Sequence, residues 1–341
     1  MSDPVLVEVT RGSTIESVHR GALVIVDADG RPVVAIGDIE RRVFPRSAVK
    51  SMQALPLVES GAADRYGFGD AELALACSSH NGEPRHVATA RAMLAAASRA
   101  ETDLECGGHA PLDSASADAL VRAGEPWGRI HDNCSGKHSG FICLACALGA
   151  DPSGYVRPDH PAQRAITAAL ADVTGADLGT PAVDGCSIPA YAIPLKNLAL
   201  GFARMVAGRG LAPARAAAAR RLISACAAEP FMIAGTGRFD TEVQASFGRR
   251  LFVKGGAEGV YCAAFPELGL GIALKCDDGA GRAAEVAMAA VIAAFLVLRG
   301  SIGEALAARL NAKILTRAGG AAGEVRPAAD LIAMLKAAAP S

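Results

Sequence analysis

Three short groups of serine and lysine residues have the types and spacing needed to activate a hydroxyl group as a nucleophile. Ser47 and Lys50 are three positions apart, and two further groups follow, Ser79-His80-Asn81 and Lys254-Gly255-Gly256. Residues i and i+3 of a helix share a face, so the Ser47 hydroxyl and the Lys50 amine are expected within reach of each other. A lysine partly removed from water can lose its charge and accept the serine proton.

Each group alone has an ordinary structural interpretation. An SxxK string is common on solvated helix turns, and the other two groups are typical of a polar loop and of a strand end entering a bend. Their order, SxxK then SxN then KxG, is that of penicillin-binding proteins and serine β-lactamases. Two features depart from that pattern: the first two groups are only 32 residues apart (79 minus 47), and Gly255 replaces the usual Thr or Ser. These departures argue against recognition of a β-lactam carboxylate.

A second constellation suggests a metal site. Cys134 lies in the polar run 132–138, and Cys186 follows about fifty residues later. From zinc chemistry alone the remaining ligand would be His138 or Asp184, since a lysine must first lose its proton. The alternative is that both cysteines are simply buried and the neighbouring glycines form turns.

Strands are predicted at the N-terminus. Period-two alternation is present at Leu6–Thr10, Thr14–His19 and Ala22–Val26. A hairpin turn at 27–30 then precedes a strand at Val33–Ile36. These elements predict an antiparallel meander.

The serine of the first group is placed at the start of a helix. Pro45 precedes a helical pattern from Ser47 to Leu57, and Gly61 follows it. From about 70 to 230 the pattern is mainly helical, with Ala-rich amphipathic stretches at His86–Ala100, Ala162–Val173 and Leu211–Ala227.

Strand character returns near the C-terminus, at Leu251–Lys254, Gly259–Ala264 and Leu268–Lys275. A helix over about 283–299 and an Ala/Gly-rich tail follow. The apolar run from 286 to 298 is shorter than the roughly 18 to 20 residues of a membrane span, which indicates a buried helix.

Together these elements predict an α+β fold of the α/β/α kind, with an antiparallel sheet built from both termini and flanked by helices. We expect a single catalytic unit over 1–341. Within it, 1–60 plus 235–341 would form a sheet-containing subdomain and 61–234 a mostly helical one.

The composition of the chain limits its expected binding partners, location and disulfide content. The chain has 34 Lys and Arg against 35 Asp and Glu, a net charge of -1, which predicts neither a nucleic-acid partner nor an anionic membrane partner. The N-terminus lacks a signal-peptide pattern, so the expected location is the cytoplasm. The odd number of cysteines, nine, in a large chain argues against a disulfide framework.

Five segments read together resemble the rhizobial-type L-asparaginase II family, in that family's order and over nearly the whole chain. They are Phe44-Pro45-Arg46-Ser47-Ala48-Val49-Lys50, Ser78-Ser79-His80-Asn81-Gly82-Glu83, Asn133-Cys134-Ser135-Gly136-Lys137-His138, Asp184-Gly185-Cys186 and Lys254-Gly255-Gly256-Ala257-Glu258-Gly259. The resemblance implies a fold similar to that of serine β-lactamases, penicillin-binding proteins and glutaminases. It also implies a homodimer that hydrolyses L-asparagine to L-aspartate and ammonia.

The resemblance also implies roles for individual residues. Ser47 matches the nucleophile and Lys50 its partner, and Ser79 with Lys254 matches a second Ser–Lys pair. The resemblance further implies one zinc ion per subunit, and the positions that match its ligands are Cys134, Lys137 and Cys186. Lys137 thus takes the place that general zinc chemistry would give to histidine or aspartate.

Substrate-binding candidates adjoin these groups. Arg46, His138 and Asp184 could hold the α-carboxylate or α-ammonium of the substrate, and His80 is a fourth candidate. The alternative for these residues is support of the neighbouring catalytic and metal-binding groups.

The predicted reaction is attack of Ser47 Oγ on the side-chain amide of asparagine, through an acyl-enzyme. Glutamine is the nearest rival substrate, because one methylene changes discrimination by only about 1–3 kcal/mol. Three other functions fit parts of the pattern: a zinc hydrolase in which metal-bound water attacks, an enzyme of the penicillin-binding or β-lactamase class, and an amino-acid sensor without chemistry.

Overall fold

A computed structural model describes residues 2–296 and 304–339 of the chain. Its strands are β1 (Val5–Arg11), β2 (Thr14–Asp27), β3 (Pro32–Ile36), β4 (Arg42–Val43), β5 (Ala182–Val183), β6 (Pro189–Ala190), β7 (Ile193–Pro194), β8 (Phe252–Gly255), β9 (Val260–Phe265), β10 (Leu270–Cys276), β11 (Ala312–Leu315) and β12 (Ala321–Pro327).

The helices lie mainly between the two groups of strands. They are α1 (Lys50–Gln53), α2 (Leu55–Glu59), α3 (Ala62–Arg65), α4 (Asp70–Ala76), α5 (Pro84–Ala96), α6 (Ser114–Ala123), α7 (Ser135–Ala147), α8 (Pro161–Thr174), α9 (Leu195–Ala207), α10 (Pro213–Ala228), α11 (Pro230–Ala234), α12 (Phe239–Phe247), α13 (Gly281–Phe295), α14 (Glu304–Leu310) and α15 (Ala329–Ala338).

In the part of the chain that is described, the main sheet has eight strands in the order β11-β12-β1-β2-β10-β9-β8, with β3 also paired to β2. Every pair in it is antiparallel. N-terminal strands thus pair with C-terminal ones, as expected for a sheet built from both termini. The predicted α+β class with an antiparallel sheet is confirmed.

Both faces of the sheet are buried. Along β2, Val24 packs into one core and Leu23 and Ile25 into the other, because successive side chains point to opposite faces. Helix α9 contacts β2, β9 and β10, whereas α13 contacts β1, β9, β10 and β12. The result is the three-layer arrangement of helix, sheet and helix.

Helix α9 lies unusually close to β10. A Cβ atom added at Gly271 would lie 2.0 Å from the Ala199 carbonyl oxygen and 2.4 Å from the Ala203 nitrogen. Real Cβ contacts are never this short, so glycine is what permits this contact between helix and sheet.

The predicted strands at Thr14–His19 and Ala22–Val26 form one strand, β2, of 14 residues. Gly21 does not interrupt it, because its missing side chain makes room for the neighbouring strand: a Cβ atom there would lie 2.2 Å from the Lys275 carbonyl oxygen. The predicted turn at 27–30 is confirmed, with Gly30 at φ +82° and the Asp27 carboxylate accepting from the Asp29 and Arg31 N–H groups.

The predicted helix from Ser47 to Leu57 is broken into three pieces. A 3₁₀ turn at Arg46–Val49 precedes α1, and α2 begins again at Leu55. Pro56 is the physical reason, since proline has no N–H and its ring crowds the preceding helical turn. Gly61 follows at φ +76°, as predicted for a residue past a helix end.

The C-terminal tail is more structured than its composition indicates. Strand β12 pairs with β1, and α15 packs on the same side of the sheet as α13. Helix α13 ends at Phe295, and the last residues of the predicted helix over 283–299 lie outside the described residues. None of the described helices is long and apolar enough to cross a membrane.

Candidate active site

Ser47 lies on a tight turn beside the edge strand β8. The preceding residue, Arg46, has φ 52°, an uncommon left-handed conformation for a residue with a side chain. A Cβ atom at Gly256 would lie 2.4 Å from the Pro45 carbonyl oxygen and 3.4 Å from the Ala48 nitrogen. The second glycine of the Lys-Gly-Gly group therefore lets the end of β8 contact the turn that carries Ser47.

Lys50 is buried at the start of α1, with 1% of its surface exposed. Its Nζ lies 2.6 Å from the Ser78 carbonyl oxygen, 3.0 Å from Ser79 Oγ and 3.2 Å from Cys134 Sγ. Within residues 2–296 and 304–339, no hydrogen bond joins Lys50 Nζ to Ser47 Oγ. Burial lowers the pKa of Lys50, and the nearby lysines lower it further against the opposing effect of Cys134.

Ser79 lies between two lysines. Besides Lys50, the buried Lys254 of β8 places its Nζ 3.2 Å from Ser79 Oγ. Backbone hydrogen bonds hold this loop in place, since the N–H groups of Ser79 and Asn81 donate to the carbonyl oxygens of Ile233 and Ala234. The structure thus brings Lys50, Ser79 and Lys254 together.

Lys254 also contacts Asp240, and Asp240 in turn contacts Tyr261, two residues that the sequence patterns did not single out. Its Nζ lies 3.2 Å from Asp240 Oδ2, and the Tyr261 hydroxyl donates to Asp240 Oδ1. No local motif marks Asp240. Tyr261 could have been found from the hairpin, because it pairs with Gly255 across β8 and β9.

Arg46 and Asp184 form an ion pair in which Arg46 Nε lies 2.7 Å from Asp184 Oδ1. Burial opposes ionisation of Asp184, but the Gly185 N–H and the charges of Lys137 and Arg46 outweigh it and keep its pKa below the usual value. A cavity of about 260 Å³ opens beside this pair and is also lined by Phe44, Val183, Glu258 and Lys275. Its mixed charges suit a zwitterionic ligand.

The predicted zinc ligands converge as well. Lys137 Nζ donates to Cys186 Sγ at 3.0 Å, and Lys50 Nζ donates to Cys134 Sγ at 3.2 Å. The neighbouring Cys186 thiol and the charges of Lys50 and Lys137 hold the pKa of Cys134 well below its usual value despite burial. Burial lowers the pKa of Lys137, but the charges of Cys134 and Cys186 more than offset it, so the net shift is upward.

The chemistry of this donor set suits zinc in part. The two buried sulfur atoms are donors of the kind zinc prefers, whereas the Lys137 amine could coordinate the ion only after losing its proton. Among the described residues, no three His, Cys, Asp or Glu side chains are grouped to hold a metal ion. The ligand set of Cys134, Lys137 and Cys186 stays a prediction, as does the alternative with His138 or Asp184.

Two predicted substrate-binding histidines are fully buried. His80 uses both ring nitrogens within the protein: Nδ1 accepts from the Gly82 N–H, and Nε2 lies 2.9 Å from Ser135 Oγ. His138 Nδ1 lies 2.6 Å from the Tyr155 hydroxyl, while its Nε2 is buried without a hydrogen-bond partner among the described residues. Burial and the nearby cations hold the pKa of both rings well below the usual value, so both are neutral.

Comparison with known proteins identifies the family of this chain. The model of the L-asparaginase II family matches residues 7–327. A search of curated proteins finds no match. A solved β-lactamase from Mycobacterium bovis is similar over 80% of this chain and 94% of its own, at 15% sequence identity and a TM-score of 0.38. Since the family model spans nearly the whole chain, the protein belongs to the L-asparaginase II family.

Proposed function

We propose that this protein hydrolyses L-asparagine to L-aspartate and ammonia through an acyl-enzyme on Ser47. The observation that carries the proposal is the cluster of Lys50, Ser79 and Lys254 beside the Ser47 turn, within a chain of the L-asparaginase II family. Buried amines in contact with a serine hydroxyl can move protons at neutral pH, which amide hydrolysis requires.

In the first half of the reaction, Ser47 Oγ bonds to the side-chain carbonyl carbon of asparagine while its proton passes to Lys50. Backbone N–H groups stabilise the tetrahedral oxyanion. The carbon–nitrogen bond then breaks, and the leaving NH2 group takes the proton from Lys50 to become ammonia. In the second half, water donates a proton to Lys50 and its hydroxyl bonds to the ester carbonyl carbon. The bond from that carbon to Ser47 Oγ then breaks, Oγ takes the proton back from Lys50, and aspartate is released.

Ser79 connects Lys50 with Lys254 and is the relay in this proposal. A hydroxyl group can accept a hydrogen bond from one amine and donate one to the other, so a proton can pass between the lysines without a water chain. Side-chain rotation must bring Lys50 Nζ to Ser47 Oγ when substrate binds. Catalytic hydrogen bonds commonly shorten only in the substrate complex.

Arg46 and Asp184 are proposed to bind the α-carboxylate and α-ammonium of the substrate, since opposite charges at fixed separation suit a zwitterion. For His138, a polar contact with the substrate is proposed because Nε2 has no hydrogen-bond partner among the described residues. The protein contacts of His80 favour support of the Ser79 loop over direct binding.

Zinc held by Cys134, Lys137 and Cys186 would supply a positive charge and a Lewis acid next to Asp184. These residues also join α7, which carries Lys137, to the loop that carries Asp184 and Cys186. The three side chains therefore hold the two substrate-binding segments together. We also propose that the protein is a homodimer, for which light scattering would give twice the chain mass of 34.6 kDa.

Release of ammonia from L-asparagine by purified protein tests the function, with L-glutamine and the Ser47→Ala variant measured in parallel. We expect turnover of asparagine that exceeds that of glutamine and a loss of at least about 10³-fold in kcat for the variant. Substantial turnover by folded Ser47→Ala would point to another nucleophile. Stabilisation of the wild type by asparagine without ammonia release would instead favour an amino-acid sensor.

A further inference from the structure

Asp240 occupies a position from which it can fix the direction of one catalytic lysine. It lies in the first turn of α12 and is 3% exposed. Its Oδ2 accepts from Lys254 Nζ and from the Gly255 N–H, both at 3.2 Å, and its Oδ1 accepts from the Tyr261 hydroxyl. Each carboxylate oxygen is therefore held by the protein.

Lys254 has three hydrogen-bond partners, one of which is a carboxylate. Its Nζ contacts Asp240 Oδ2 at 3.2 Å, the Gly255 carbonyl oxygen at 3.1 Å and Ser79 Oγ at 3.2 Å. With 1% of Lys254 exposed, the carboxylate is the group that makes a buried positive charge tolerable.

The partners of Lys50 differ from those of Lys254. Lys50 Nζ contacts a carbonyl oxygen, Ser79 Oγ and Cys134 Sγ, and no carboxylate of the described residues pairs with it. The two amines that flank Ser79 are therefore not equivalent. Only Lys254 has a carboxylate partner, which fixes the direction of its remaining donor toward Ser79.

The glycine at position 255 makes this arrangement possible. A Cβ atom there would lie 2.9 Å from Cζ of the Tyr261 ring, so a threonine or serine would displace the ring. Tyr261 also packs edge-on against Phe239, with ring centroids 5.4 Å apart. The middle position of the KxG group, usually Thr or Ser, is thus a glycine where the ring of Tyr261 needs space to reach Asp240.

We propose that Asp240, held by Tyr261, is a positioning residue that pairs with Lys254 Nζ and directs one of its N–H groups at Ser79 Oγ. Ser79 then accepts from Lys254, and its own hydroxyl hydrogen is free to point toward Lys50. This inference rests on the proposed amide hydrolysis. It gives the relay a direction, from Lys254 through Ser79 to Lys50.

A double-mutant cycle tests the proposal. We expect Asp240→Asn, which keeps the shape and an acceptor for Tyr261, to lower kcat for asparagine about 10²-fold, with KM changed less than about threefold. Lys254→Met should cause a loss of similar size. Because both changes remove one function, the double variant should be no slower than Lys254→Met alone.

A residue with a merely structural role would give another result. Its loss would lower the melting temperature and the folded fraction, leave kcat per folded molecule within about twofold, and add independently to the effect of Lys254→Met. Either unchanged kcat in folded Asp240→Asn or multiplication of the two losses in the double variant overturns the proposal.

Tyr261→Phe provides a second test if Asp240→Asn does not fold, because it keeps the buried ion pair. Loss of one hydrogen bond to the carboxylate should lower kcat roughly tenfold with KM unchanged, and an unchanged kcat would contradict the proposal. Wild-type protein that releases no ammonia overturns the proposed function itself. Turnover that requires Ser47 but not Asp240 overturns this inference alone.

Discussion

Four buried side chains share the space around Ser79 and Cys134: Lys50 and Lys254 on one side of the site, Lys137 and Cys186 on the other. Charged lysines this deeply buried need anionic groups beside them. Cys134, whose pKa lies well below its usual value, and Asp240 supply them. Cys134 therefore takes part in the electrostatics of the site.

Zinc binding can be tested one residue at a time. Cys134→Ser and Cys186→Ser should each lower the zinc content of purified protein well below one ion per chain, because serine oxygen is a poorer zinc donor than thiolate sulfur. Cys143→Ser is the matched control, as Cys143 is buried on α7 but contacts the Met93 carbonyl oxygen. Elemental analysis measures the outcome. Equal zinc content in all four proteins would contradict this ligand set.

At the residue scale the sequence pointed to the contact of Ser79 with Lys254 but not to the other contacts of these side chains. The two pairs, Ser47 with Lys50 and Ser79 with Lys254, could be matched by motif. The hydrogen bond between Lys50 and Ser79 could not, because it depends on how the loop after α4 docks against α1. Asp240 was missed because a single aspartate in an amphipathic helix has no distinguishing pattern.

At the scale of elements, glycines determine how closely strands and helices pack around the site. Gly256→Ala would push the end of β8 against the Pro45 carbonyl, and Gly271→Ala would push β10 against α9. We expect each change to lower the free energy of unfolding by about 1–3 kcal/mol through overpacking. Only Gly256→Ala should also lower kcat of the folded enzyme, because only that glycine contacts the Ser47 turn.

Gly281→Ala is the control for both changes, since a Cβ atom there meets no neighbour within 4 Å. It should alter stability by less than about 0.5 kcal/mol. Urea unfolding and ammonia release provide the two readouts. Equal losses of kcat in Gly256→Ala and Gly271→Ala would show that overpacking acts through global stability and not through the Ser47 turn.

Helices and strands were predicted correctly where the hydrophobic periodicity of the sequence was strong. The prediction failed where tertiary contacts determine the secondary structure. The strands β8, β9 and β10 and the long helices α8 and α10 were predicted within a few residues. The break at Pro56 was overlooked, and β11, β12 and α15 were missed in an Ala/Gly-rich tail. Pairing of β12 with β1 stabilises that segment. The local sequence of β12 cannot indicate a pairing strand that lies more than 300 residues away in the chain.

At the scale of the whole molecule, the sheet joins both ends of the chain and the helical segment between them carries half of the site. Lys50 and Lys254 come from the parts of the chain that flank the sheet, whereas Cys134, Lys137 and Cys186 come from the helical segment. The α+β class followed from the order of predicted elements. The proposed boundary between a sheet subdomain and a helical subdomain stays a prediction.

Buried histidines predict how stability depends on pH. Burial lowers the pKa of His80 and of His86, so both stay neutral in the folded protein while the unfolded chain takes up protons near pH 6.5. Their contribution is fully present above that pH and is lost as the pH falls. The free energy of unfolding should therefore decrease by at most about 3 kcal/mol per pH unit from these two groups.

Urea unfolding between pH 8 and pH 5 measures this slope. His86→Phe keeps the stack on Phe231, whose ring centroid lies 4.5 Å away, and removes one titrating group. The slope of the variant should be shallower than that of the wild type by up to about 1.4 kcal/mol per pH unit. An identical slope would mean that His86 is not kept neutral by folding.

The site of the covalent intermediate is the most direct test of the account, because Ser79 contacts two lysines whereas Ser47 is assigned as the nucleophile. Protein mixed with L-asparagine and quenched with acid within one turnover can be digested, and the masses of its peptides can be measured by mass spectrometry. The account predicts one added aspartyl group on the peptide that contains Ser47 and none in Ser47→Ala. An aspartyl group on Ser79, or turnover without any adduct, would contradict it.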